Sequence, residues 1–253
     1  MTRALPRTAI HSARLVRFLT ENALIAAAPP QEDVGQRLGD WLDFRQAIGL
    51  HAVLNPEPTI QASSPARAPA LTPAALREHV TRVRASLEQS ILQGAPPGSG
   101  LTRIDMPAAE LDEPVEPKTA FEPYRRFQAA HQRQMESVLR SLRAQVRAQV
   151  AKGSPDLQRL AALDATFENI LGEREAMLLG KVSRLLEKRF VQALKQQLQK
   201  PAPGDTTSSE KPLAWLMPLR QAMRSALLAE LDTRLQPTLG LVEAFQAENA
   251  HTP

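Results

Sequence analysis

At 253 residues the chain can hold one or two domains, and 43% hydrophobic residues permit a buried core. Only 4% of residues are aromatic, while Ala, Leu, Gln, Arg and Glu dominate, which favours an all-α fold. Cysteine is absent, so disulfides, thiolate metal sites and cysteine nucleophiles are excluded; the net charge is only +4, so its distribution matters more than its sum.

The N-terminus carries Arg3, Arg7, Arg14 and Arg17 ahead of the apolar run 23–28, a superficial likeness to a signal peptide. Thr20, Glu21 and Asn22 interrupt it and leave six apolar residues, fewer than the ~7 to 15 of a secretory core region. The reading is a cytoplasmic protein, and no apolar run approaches the ~20 residues that span a membrane.

Prolines divide the chain. Of 21, fifteen fall within 56–73, 96–123 and 201–218. The expected organisation is an N-terminal helical pair (1–55), a linker (56–72), an amphipathic helix (73–93), an acidic disordered linker (94–120), a long helical hairpin (121–200), a linker (201–212) and C-terminal helices packing on the hairpin (213–253). The N-terminal pair is placed at 8–21 and 33–54. In the next helix Leu76, Val80, Val83, Leu87 and Ile91 recur every three or four residues and form one apolar stripe.

Charge shifts abruptly at the start of the hairpin. Residues 105–122 hold six acids and one base, a net of −5, whereas 121–152 hold seven bases and two acids, a net of +5. Pairing of the acidic linker with the basic helix is one reading, and a basic patch for an outside polyanion is the other.

The hairpin turns at Lys152-Gly153-Ser154-Pro155. Gly153 suits a left-handed residue after a helix, Ser154 can cap the next one, and Pro155 fits its first turn. At about 1.5 Å per residue the arms 121–151 and 155–200 would be about 46 and 69 Å long. On the first, Tyr124, Phe127, His131, Met135, Val138, Leu142, Val146 and Val150 form an apolar stripe, and Arg126, Arg133, Arg140 and Arg147 recur every seventh residue on the opposite side. This basic face is either solvated or a row of phosphate contacts, though no aromatics interleave it to stack bases.

On the second arm Leu157, Leu160, Leu163, Phe167, Ile170, Leu171, Leu178 and Leu185 form a stripe, and a separate row, Leu186, Phe190, Leu194 and Leu198, drifts about 40° per step. The rotating face predicts an interaction surface at the far end. Arg174 sits inside the first stripe, and Glu230 and Arg234 continue an apolar face of the last helix. An Arg174–Glu230 pair would set the helix register; the alternative is that Arg174 snorkels and Glu230 pairs with Arg234. Pro237 is expected to end that helix, with a short final one after it.

Chemistry is sparse. Five histidines are scattered, residues 94–100 lack the Lys-Ser/Thr ending of a phosphate loop, and no serine sits in a nucleophile elbow. The chain reads as a non-enzyme without catalytic, metal or cofactor-binding residues.

Several blocks are distinctive: Ala120-Phe121-Glu122-Pro123-Tyr124-Arg125-Arg126, Leu171-Gly172-Glu173-Arg174-Glu175, Leu185-Leu186-Glu187-Lys188-Arg189-Phe190, and Leu227 through Pro237. In these blocks the chain resembles a proteobacterial family, domain of unknown function 3348. The resemblance implies no activity, cofactor or catalytic residue, and it implies an accessory role beside an envelope-associated assembly. The resulting expectation is an extended helical bundle built on a long antiparallel hairpin, a scaffold that binds a protein partner or self-associates through its long helices. The alternative is non-specific nucleic-acid binding by basic helix faces, including Lys181, Arg184, Lys188, Arg189 and Lys195.

Overall fold

A computed structural model of the chain describes residues 14–22, 34–55, 71–108, 117–199 and 215–251. They form α1 (Arg14–Glu21), α2 (Val34–Trp41), α3 (Phe44–Leu54), α4 (Pro73–Gln93), the single turn α5 (Pro117–Ala120), α6 (Glu122–Val150), α7 (Pro155–Leu198) and α8 (Leu216–His251). No strand occurs among the described residues, and the fold is all-α. The linker 201–212 and most of 56–72 lie outside the described residues.

Local chemistry explains most boundaries. The expected helix 33–54 is two helices, because the Asp43 side chain accepts from Gln46 N while Gln46 Oε1 accepts from Asp43 N, a reciprocal capping box that starts α3. Thr72 Oγ1 accepts from Ala75 N at the start of α4, and Gly94, at φ 96°, ends it. The Lys152 and Gly153 amides donate to the Gln149 and Val150 carbonyls, tightening the end of α6 into i→i+3 turns. Gly153 therefore leaves α6 without the left-handed conformation expected of it. Closeness is what selects glycine there, since a Cβ would lie 2.5 Å from Leu157 Cδ1 and 3.3 Å from the Val150 carbonyl oxygen.

Pro237 does not break α8, contrary to expectation. A helix-interior proline costs about 3 kcal/mol. Leu235, Leu241, Val242 and Phe245 are buried on either side of it, and each such burial contributes about 1.5–3 kcal/mol, so continuing the helix is favoured.

The chain divides into two compact units, and α4, α6, α7 and α8 each contribute residues to both. The first comprises Met1–Ala26, Ser86–Glu136 and Leu178–Thr233. Its central helix is the α8 stretch 216–233, where Leu216, Leu219, Ala222, Met223, Ala226, Leu227, Ala229 and Leu231 are buried on nearly all sides, as in a core helix. Phe121, Tyr124, Phe190 and Trp215 pack as an aromatic cluster with centroids 5.3–6.2 Å apart. Leu15 on α1 packs with Leu179 and Ala229, and Arg14 donates to Asp232 at 2.7 Å.

Composition predicts disorder over 94–120, yet 94–108 are held against this unit. Gly98 and Gly100, at φ 72° and 71°, permit tight turns; Thr102 N donates to Gln134 Oε1, and Tyr124 OH donates to the Ala108 carbonyl. Residues 109–116 of that expected linker lie outside the described residues.

The second unit comprises Ala27–Ala85, Ser137–Met177 and Arg234–Pro253. Here α6 and α7 form the antiparallel hairpin, with Leu139, Leu142, Val146, Val150, Leu157 and Ala161 buried. Leu71 N donates to Gln149 Oε1, and His79 Nε2 lies 3.3 Å from Gln145 Oε1, tying in the start of α4. At the corner, Ser154 N and Oγ both donate to the Glu248 carboxylate of α8, and Ser154 Oγ in turn accepts from Leu157 N. A carboxylate placed at the N-terminus of α7 also faces the positive end of its dipole.

Candidate interaction surfaces

The arginine row does not share one environment. Arg126, Arg133 and Arg140 are exposed; Arg126 pairs with Glu122 at 3.3 Å, and Arg140 also has a partner. Arg147 is turned against α7, where it donates to Asp164 at 3.2 Å and Glu168 at 2.6 Å. Arg143 adds a bidentate contact to Asp164, with Nε 3.0 Å and Nη2 2.7 Å from its oxygens. Two arginines and two carboxylates thus lock the hairpin. Of these four only Arg147 belongs to the expected basic face, although Asp164 and Glu168 at i,i+4 opposite Arg143 and Arg147 at i,i+4 is a readable signal.

The interaction surface expected at the far end of α7 is occupied by the chain itself. Leu186, Phe190 and Leu194 are buried within the first unit, where the Phe190 ring meets Phe121, Tyr124 and Trp215. Leu198, the last of the row, is 59% exposed. The drifting stripe did require a second surface, and the N-terminal turn of α6 with the residue before α8 supplies it.

Each of the three charges expected to pair has a contact outside that set, and Glu230 and Arg234 have further partners as well. In the second unit Arg174 Nη2 donates to the Trp41 carbonyl at 2.9 Å, and its guanidinium lies 5.3 Å from the centroid of the same indole. Arg234 Nη1 is 3.5 Å from Glu175 Oε1. In the first unit Glu230 is buried and accepts from Gln132 Nε2 at 2.8 Å. Trp41 as the partner of Arg174 was not legible, because the two are 133 residues apart.

His131 is buried in the first unit with the Phe127 ring edge-on at 4.6 Å. Desolvation pushes its pKa down to about 4, so it is neutral at pH 7. Its Nε2 and both side-chain polar atoms of neighbouring Gln128 have no hydrogen-bond partner. Burial also raises the Tyr124 hydroxyl pKa, partly opposed by the positive charge of Arg220. Among the described residues no three His, Asp or Glu side chains gather as a metal site.

Two surfaces stand out. Helix α3 has no buried residue, and it presents Phe44, 84% exposed, with Ile48 one turn on and Leu54 at its end. In the first unit a groove of about 540 Å³ runs along the first turns of α8, lined by Met217, Pro218, Arg220, Gln221 and Arg224.

Together these features define an all-helical protein in two units, in which no described helix is long and apolar enough to cross a membrane. The family model described as a protein of unknown function, DUF3348, matches residues 1–247, and the chain belongs to that family. No curated protein and no solved structure matches the chain.

Proposed function

We propose that the chain is a non-enzymatic interaction protein, and that α3 is a surface it offers to a protein partner. The observation that supports this is the contrast between how α3 is started and what it covers. A capping box stabilises its first turn from within, and large apolar side chains then project from it without burial. An amphipathic helix laid into a partner's groove binds through such i, i+4 anchors.

The test is a paired Phe44→Asp and Ile48→Asp substitution, read by pull-down at native expression level and by light scattering. The wild type is expected to retain a stoichiometric partner or a second copy, and the double variant to lose it with an unchanged circular-dichroism spectrum. A wild-type monomer with no partner, or full retention by the variant, would count against the reading.

Nucleic-acid binding is a second reading, favoured by the exposure of Arg126 and Arg133 on α6 and of Lys181, Arg184, Lys188, Arg189 and Lys195 on α7. It requires retention on duplex DNA that weakens steeply with salt. Absence of retention at low salt removes it.

A further inference from the structure

Partly buried arginines in this protein find oxygens. Arg125 reaches Glu122 and Glu187, Arg143 and Arg147 share Asp164, Arg174 takes the Trp41 carbonyl, Arg234 lies beside Glu175, and Arg84 also has a partner. Among the described residues, Arg220 and Arg224 are the exceptions. Both are partly buried, neither has a hydrogen-bond acceptor or a carboxylate, and Arg224 Nε is shut off from solvent with no partner. A guanidinium cannot shed its proton, so this donor stays charged and unsatisfied.

The two arginines are four residues apart on α8, one above the other at about 6 Å along the axis. Both line the groove at the helix start, and among the described residues the rest of its lining is Met217, Pro218 and Gln221, with no carboxylate. The helix dipole adds positive potential at this end. Met217 is 60% exposed beside the charges, so the groove offers an apolar floor next to two forked donors.

We infer that this groove receives an acidic segment of a partner protein, with a side-chain carboxylate bridging Arg220 and Arg224 and an adjacent apolar side chain over Met217 and Pro218. Guanidinium forks match carboxylates in bidentate geometry. A nucleic-acid backbone would satisfy the arginines but leave the apolar floor unused, and the described lining has no aromatic ring for a base to stack on. The inference takes from the interaction reading only the class of partner; its site is separate from α3.

The experiment is fluorescence polarisation of a labelled eight-residue peptide of alternating Glu and Leu, with the Gln/Leu peptide as the neutral counterpart. The full-length protein is expected to bind the acidic peptide saturably and not the neutral one. The paired Arg220→Gln and Arg224→Gln variant should bind at least tenfold more weakly, as should Met217→Asp, which alters an exposed side chain. A charge-matched control, Arg77→Gln with Arg159→Gln on exposed positions, should bind like wild type. No acidic-peptide binding, equal loss in the control variant, or displacement of the peptide by duplex DNA with the same dependence on Arg220 and Arg224 would each overturn the inference. A partner pulled down equally by wild type and the Arg220/Arg224 variant, with no peptide bound, would remove the groove while leaving the interaction reading in place.

Discussion

A seven-residue repeat on a 3.6-residue helix turns by about 20° per step, so a row spaced like Arg126, Arg133, Arg140 and Arg147 cannot keep one environment. By its fourth member the drift is about 60°, and Arg147 has passed from solvent to the hairpin seam. That rotation separates residues of equal charge into unequal energetic roles. Asp164, whose side chain is 9% exposed, accepts from two arginines, and Asp164→Asn is expected to cost about 3 kcal/mol because Arg143 and Arg147 lose their shared carboxylate. Arg126→Ala, at 77% exposure, should cost under about 0.5 kcal/mol. Urea midpoints of the two variants decide the contrast, and similar values would refute it.

His131 gives a second prediction at this scale. Its folded pKa of about 4 lies below the unfolded value of about 6.5. Between those pH values the unfolded chain takes up a proton that the folded chain refuses, so the histidine's contribution is full above pH 6.5 and is lost as pH falls toward 4. The loss should approach roughly 3 kcal/mol at about 1.36 kcal/mol per pKa unit. His131→Leu removes the group, so its stability should fall less than that of wild type between pH 7.5 and 4.5, by roughly 2–3 kcal/mol. Parallel pH profiles would show that another group carries the dependence.

At the scale of elements, α3 and α8 differ in what holds them. Helix α8 has Pro237 in its interior and persists because its neighbours are buried, whereas α3 has a good start and no buried residue. Asp43→Ala should therefore open α3 locally, at about 1 kcal/mol, and leave the global unfolding midpoint unchanged. Amide exchange resolved over 44–54 reads the first effect, and thermal unfolding reads the second. A global shift would mean that α3 is packed more tightly than its exposure indicates. The capping box itself was legible as Asp43-x-x-Gln46, but the break it makes within 33–54 rests on that one pair of side chains.

At the scale of the whole molecule, four helices run through both units without interruption. A helix cut in mid-course would lose hydrogen bonds at the cut, so the units are expected to unfold together. Each unit contains one tryptophan, Trp215 in the first and Trp41 in the second. Trp41→Phe and Trp215→Phe variants leave one fluorescent reporter each, and their urea transitions should share the midpoint measured by circular dichroism. Separate midpoints would show that the units are independent.

What the sequence by itself determined was local: the all-α class, the start of α7 at Ser154 and Pro155, and the apolar stripes of α4 and α6. Each follows from backbone chemistry or from side-chain period within a few turns. Tertiary structure alone decided which surface each stripe meets. The turn from Leu186 to Leu194 was visible, but that Phe121, Tyr124 and Trp215 cover it was not. Likewise Arg174 could be seen to need a partner, but not that Trp41 provides it. Helical period sets the direction of a side chain about its own axis and carries no information on which distant segment lies there. For the same reason Arg220 and Arg224 look ordinary in the sequence, and their lack of an oxygen among the described residues appears only in the tertiary structure.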